Sequence, residues 1–291
     1  MSTTDLLAGA AILAITIGTS VPIGAYVARV FRGERTWLDP VLGPIERRLL
    51  HLLGVEADAS QTWTAYARSL LLSNAAMWVA AWTVVRTQAW LPLNPDGIAN
   101  MGGSLAFNTT VSFVTNTNLQ HYSGETGLST LAQLLMVTCL QFTSASTGIA
   151  ALAAVLRALA GSRLTHLGHF YVDAVRGGVR VLLPLALLVG VIGLWQGIPM
   201  TLEPAVQATT LEGGTQRIAR GMVAAEVAIK QLGTNGGGYF GPNSAHPFEN
   251  PTPLTNAVQT WAIAVLPMAM IWTALVSGVG FSNGCAEFGP K

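Results

Sequence analysis

Charge is scarce in this chain. Asp, Glu, Lys and Arg make up 10% of its 291 residues, while 51% are hydrophobic; a water-soluble domain carries roughly 25% charged residues. The shortage excludes a globular soluble enzyme and reads as an integral membrane protein. The net charge of +1 gives no basic field for nucleic acid. Cysteine is nearly absent too. Cys139 and Cys285 lie far apart without metal spacing, so no disulfide framework is indicated. Cys139 falls in an apolar run and is expected as a small core residue. There is no Walker motif and no Asp-Lys-Thr-Gly phosphorylation loop, so the chain cannot spend ATP by itself. No His/Cys cluster offers a soft-metal site, and oxygen donors dominate. No organic cofactor is expected in this chain.

Long apolar runs are abundant. Five reach the roughly 20 residues needed to cross the hydrocarbon of a bilayer: Leu6–Val30, Ala65–Val85, Ser129–Leu156, Val179–Gln196 and Thr255–Val279. The first has no basic leader and is too long for a secretion signal, so it reads as a retained span. Pro22, Pro184 and Pro267 fall within spans, which is tolerated where a neighbour takes up the freed carbonyl. Arg29, Arg32, Arg35, Arg47 and Arg48 follow the first span, and Arg157, Arg163, Arg176 and Arg180 lie between the third and fourth. The positive-inside rule therefore puts these loops in the cytoplasm and the N-terminus outside. Trp37, Trp63, Trp90 and Trp195 read as interface anchors.

The two segments on the other side are not ordinary loops. In the first, a short apolar stretch, Ser104–Phe113, runs into Val114-Thr115-Asn116-Thr117-Asn118-Leu119-Gln120. In the second, Gly213-Gly214 precedes a short helical stretch, Met222–Leu232, and then Gly233-Thr234-Asn235-Gly236-Gly237-Gly238. Three successive glycines imply a conformation or a close approach that other residues forbid. The predicted architecture is an all-α membrane protein: a leading transmembrane helix and cytoplasmic loop (1–62), then two span, pore-helix, filter-loop, span repeats (63–160 and 161–280), and an atypical tail (281–291). Identity between the copies is confined mainly to Thr115-Asn116 matching Thr234-Asn235.

Such loops suit a dehydrated cation. Backbone carbonyls and Thr or Asn oxygens can replace its hydration shell without fixed charge, and a half-helix ending there aims its negative dipole end at the ion. Glu226 stands one turn before Lys230 and is expected to pair with it. His246 and Glu249 have the spacing of a metal pair, but Pro247 argues against a helix, so they read as a structural outer loop.

At these residues a family resemblance enters. Ser112–Asn118 with His121-Tyr122-Ser123-Gly124-Glu125 resembles the first filter of the potassium-binding A chain of the Kdp-type potassium-transporting ATPase. Glu226–Gly238, continuing through Asn243–Thr252, resembles its second. The resemblance implies a fold of the potassium-channel and Trk-like superfamily, with four such repeats around one pore, in the bacterial plasma (inner) membrane. It implies potassium as the bound ion, lined by Val114, Thr115, Asn116, Thr117, Asn118 and Gln120 of one loop and Thr234, Asn235, Gly236, Gly237 and Gly238 of the other. It also implies partners: a P-type ATPase B subunit that holds ATP and magnesium, a C subunit and a small single-span peptide. The function implied is potassium binding and handover in an ATP-driven uptake pump. A passive or ion-coupled potassium channel, or a fragment that transports nothing, are the alternatives. Two departures stand out. Asn118-Leu119-Gln120 occupies the place of the family's usual Asn-Trp-Gln, which predicts looser packing behind the filter. The sequence also holds only two of the four repeats, which reads as a truncated or frame-shifted product.

Overall fold

The computed structural model describes residues 2–161, 164–241 and 243–277. The tail 281–291 and Cys285 lie outside the described residues. In chain order the helices are α1 (Thr3–Phe31), α2 (Asp39–Leu52), α3 (Trp63–Thr87), α4 (Gly103–Val114), α5 (Thr130–Ala160), α6 (Phe170–Trp195), α7 (Val223–Leu232) and α8, which begins at Pro253. A hairpin of β1 (Val206–Thr209) and β2 (Thr215–Ile218) precedes α7.

Four of these helices, α1, α5, α6 and α8, are long and apolar enough to cross a membrane. Helix α3 has the length, 25 residues, but Arg68, Asn74 and Arg86 dilute its hydropathy. Helix α1 begins with a capping box: Asp5 N donates to Ser2 Oγ at 3.2 Å and Ser2 N to Asp5 Oδ2 at 2.8 Å, which satisfies two orphan donors of the first turn. Helix α6 starts at Phe170, earlier than the apolar run suggests. Gly177-Gly178 does not stop it, because the chain widens into a π-turn over Arg176–Leu182. Pro184 follows that turn and cannot donate back to Arg180; Tyr26 Oη donates to the Arg180 carbonyl instead, at 2.9 Å, supplying the neighbour that an interrupted membrane helix needs. Cys139 is exposed on the outer face of α5, so the core position expected for it is not found. Trp37, Trp63, Trp90 and Trp195 are all largely exposed.

The chain divides into two compact units. One holds the chain up to Ser73, Ala145–Leu185 and the part from Thr260. Its core joins Tyr66, Ala150, Ala154 and Phe170. A buried ion pair, Arg157 to Asp173 at 2.6 Å, crosses it, and Tyr66 Oη donates to Asp173 Oδ2 at 3.0 Å. Helices α1 and α8 touch at Gly24, where a Cβ would come within 2.6 Å of the Ala269 carbonyl. Helix α2 is held by Glu46, which takes Arg176 Nε at 3.0 Å and also pairs with Arg180. Arg180 reaches Asp39 at 2.7 Å. The Thr36 hydroxyl, with Arg180 beyond it, holds the Asp39 carboxyl below the usual carboxylate range.

The other unit holds Asn74–Ser144 and Ala186–Gln259, and the two polar loops singled out from the sequence, 114–120 and 233–238, lie in it. One cluster packs Val85, Phe113, Val114, Met136 and Leu140; a second packs Val223, Val227, Tyr239 and Phe240. Here a short hairpin adds to the otherwise helical fold. Its strands pair antiparallel, Val206 opposite Ile218 and Thr209 opposite Thr215, around a turn holding Gly213-Gly214. The glycine turn between two short β-prone stretches was the available signal. Arg217 pairs with Asp96 at 2.8 Å and Arg220 with Glu203 at 3.0 Å, so neither is an unbalanced charge on this side.

Candidate functional site

Helices α4 and α7 have 12 and 10 residues, or roughly 18 and 15 Å, too short to cross about 30 Å of hydrocarbon. Each ends where its loop begins. The cap residues are Thr115 and Gly233, so both loops start at the negative end of a helix dipole.

The loops leave helical geometry in the same way. Asn116 and Asn118 have φ of 62° and 52°; Thr234 and Gly236 have 52° and 80°. Thr117 N returns to the Ser112 carbonyl, as Asn235 N does to Lys230. The structural equivalent of Asn116 is therefore Thr234. The Thr-Asn match seen in the sequence is one residue out of register, and that correspondence is corrected here. Asparagine tolerates the left-handed region; threonine, β-branched, is a true outlier there, and strain of this kind collects at functional sites.

The two loops are joined through their polar groups. Asn235 Nδ2 donates to Asn116 Oδ1, and Asn116 Nδ2 donates to the Gly233 carbonyl at 3.2 Å. Ser144 Oγ also donates to Asn116 Oδ1, at 2.9 Å. Further along, Gly238 N donates to Gln120 Oε1 at 2.7 Å. At Gly237 a Cβ would stand 2.9 Å from the Asn118 carbonyl and 2.7 Å from Gln120 Oε1. The glycine allows the two backbones to meet.

A cavity of about 500 Å³ opens between the loops. Of the predicted residues, Thr117, Asn118, Gln120, Asn235, Gly236 and Gly237 line it. Val114 is buried in the core, Thr115 bonds Thr117 through their hydroxyls at 3.2 Å, Asn116 joins the loops, and Gly238 lies against an ion pair. Tyr122, Ser123, Phe240, Gly241 and Asn243 also line the cavity and were not among the residues expected to line the ion path. Leu119 lines it as well and is half-exposed. Among the described residues that line the cavity, none is charged. Both polar side-chain atoms of Asn118, Asn235 Oδ1 and Gln120 Nε2 are buried without a partner among the described residues. Buried amide groups in that state await a ligand or water.

Lys230 and Glu249 form the brace behind the second loop. Each is 1% exposed, and they pair with each other. Lys230 Nζ also donates to the Gly237 carbonyl at 3.2 Å; Glu249 accepts from Phe240 N at 3.1 Å and Ser244 N at 2.9 Å. Satisfied on these sides, a buried pair fixes loop geometry. The expected Glu226–Lys230 pair is not formed. The turn of helix puts them in sequence reach, but packing brings Glu249 to Lys230 instead. Both Glu226 oxygens are buried and unpartnered among the described residues. His246 stacks on Phe240, centroids 3.7 Å apart, which agrees with a structural outer loop. Among the described residues no cluster of three His, Cys, Asp or Glu could hold a metal.

Glu226 gives a first prediction. Glu226→Gln should leave thermal stability unchanged or raise it by a few degrees, because a buried carboxyl without a partner is destabilising. Thermal unfolding of the purified chain in detergent tests this; a drop of the size expected for breaking an ion pair would restore the Glu226–Lys230 pairing.

Residues 10–278 match the family model of the potassium-transporting ATPase A subunit. The chain belongs to that family. It is 47% identical over 272 residues to the potassium-transporting ATPase potassium-binding subunit of Allorhizobium ampelinum, covering 94% of this chain and 48% of that protein. The subunit of the same name from Methylorubrum extorquens is 50% identical over 264 residues (91% and 46%), and that of Bacteroides fragilis 45% over 268 (92% and 47%). The chain thus spans about half the length of the curated relatives it matches. As a family member with four membrane-length apolar helices, it is a multi-pass membrane protein. The A-subunit match includes both loops and the short helices α4 and α7 that precede them.

Proposed function

We propose that this chain supplies part of the potassium-selecting path of an ATP-driven uptake pump. The observation that carries the reading is the uncharged cavity between two re-entrant loops, each set at a helix C-terminus. A monovalent cation that sheds water gains oxygen ligands there from backbone and amide groups, while the absence of a carboxylate keeps binding weak enough for release. Potassium enters the proposal through the names of the relatives and the resemblance of both loops. The ion-lining residues are Thr117, Asn118, Gln120, Asn235, Gly236 and Gly237, with Val114, Thr115, Asn116, Thr234 and Gly238 setting the loop geometry. The N-terminus and both loops lie outside the inner membrane, and the arginine-rich segments after α1 and α5 lie in the cytoplasm.

Uptake against a thousandfold gradient requires about 4 kcal/mol per ion. A P-type ATPase B subunit, carrying ATP and magnesium, supplies it and receives the ion; a C subunit and a single-span peptide complete the assembly. The test is potassium uptake and potassium-stimulated ATP hydrolysis by this chain co-purified with its ATPase partner. Stimulation that is lost with Asn118→Ala is the expected result. ATP-independent flux through this chain alone would establish the channel alternative, and no binding or flux in any assembly would leave a non-transporting fragment.

A further inference from the structure

Helix α2 begins close to the membrane. Span α1 ends at Phe31, and only 32–38 separate it from Asp39. One face of α2 is committed: Leu42, Gly43, Glu46 and Leu50 are buried, with Glu46 locked by Arg176 and Arg180. Beside that face runs a second apolar stripe that the described residues leave open at its ends and partly exposed at Ile45 (38%) and Leu49 (37%). Val41, Ile45, Leu49 and Leu52 recur three and four residues apart, and Trp37 precedes them. Trp37 is 80% exposed, Val41 66% and Leu52 79%. A soluble surface would not leave such a stripe open. Arg35 and Arg48 are exposed beside it, and Arg47 is exposed on the far side of the committed face next to Gly43, all with no acidic partner among the described residues. The acidic groups nearby are otherwise placed: Glu34 pairs with Arg32, Asp39 with Arg180, and Glu56 and Asp58 lie past the helix end.

We propose that α2 is a membrane-surface helix, its Val41–Leu52 stripe set in the boundary between headgroups and acyl chains and its free arginines on anionic lipid phosphates. The occupant is lipid and not a protein, because three features coincide. The stripe is continuous with a helix already anchored to spanning segments, a tryptophan stands at its edge, and unpaired cations flank it. This is the pattern of an amphipathic helix lying in the interface plane. The docked side fixes the helix roll, so the stripe faces lipid without the helix folding on arrival.

The full chain in nanodiscs of phosphatidylcholine mixed with phosphatidylglycerol tests this. Nitroxide labels are placed singly at 41, 45 and 52, and at 47 and 51, in a background with Cys139 and Cys285 changed to serine. All five positions are exposed, so labelling does not disturb the core. Oxygen should relax the labels at 41, 45 and 52 more than a water-soluble nickel chelate does, and the order should reverse at 47 and 51. Stripe labels reached by the chelate would overturn the proposal, as would labels shielded from both reagents, which would mean that protein covers the face. In a second arm, spin-labelled phosphatidylglycerol and phosphatidylcholine compete for the protein. Arg35→Gln with Arg48→Gln should lower the preference for phosphatidylglycerol at least about fivefold. An unchanged preference would show that these arginines do not bind lipid phosphate.

Discussion

Gly238→Ala should be among the most damaging single-methyl changes in this protein. A Cβ there would stand 2.6 Å from Glu249 Oε1 and 2.6 Å from Lys230 Nζ. Both are charged, buried and hydrogen-bonded to the loop, so neither can withdraw freely. Overpacking of this kind costs about 1–3 kcal/mol, and separating the pair would add more. The same peptide donates to Gln120, so the shift is passed to the first loop. Gly236 is the internal control. It shares a positive φ, +80°, yet among the described residues its Cβ would meet only Asn243 Oδ1, at 3.4 Å. Gly236→Ala should therefore show mainly the backbone penalty, roughly 1 kcal/mol. Thermal unfolding and ion affinity of the two variants, measured side by side in the assembled complex, decide the matter. Equal effects would mean that the glycines serve conformation alone and that the brace does not press on the loop.

Breaking the brace itself should cost still more. Glu249→Gln leaves the Lys230 ammonium buried beside a neutral amide, and a buried pair that loses one partner typically costs 3–5 kcal/mol, or about 10 °C in unfolding temperature. Gln keeps one acceptor for Phe240 N or Ser244 N, so the loss reports charge more than packing. Adding Lys230→Met to Glu249→Gln removes the stranded charge. The double variant should be less damaged than the sum of the single ones, with a coupling of about 2 kcal/mol. Strict additivity would show that the two side chains do not act as a pair.

Much of this was legible in the sequence. Hydropathy is a local property, so the spans emerged as runs, with ends a few residues off. The two loops were visible because polar Thr-Asn stretches and a glycine triplet stand out between apolar runs. Misreadings arose where a side chain chooses among partners. Glu226 is near Lys230 along the helix, yet Glu249 reaches it through a loop with positive φ at Gly236, Gly237 and Gly238. Cys139 sits in an apolar run, but in a membrane an apolar run has an outward face as well as a core. Matching Thr-Asn pairs aligned the letters of the loops; the returns to Ser112 and Lys230 aligned the backbones, one residue apart.

By itself the sequence determined the solvent of this protein, the approximate course of its four membrane-length apolar helices and the place of the two polar loops between helices. Apolar length and turn chemistry act within a few residues, and neither depends on what packs alongside. Only the tertiary structure decided which loop residues face the cavity and which bind the loops together, which acid holds Lys230, and which stripe of α2 stays bare. Those outcomes depend on groups more than a hundred residues apart, or on opposite sides of a loop. They are set by the contact geometry that remains once buried polar groups have found partners.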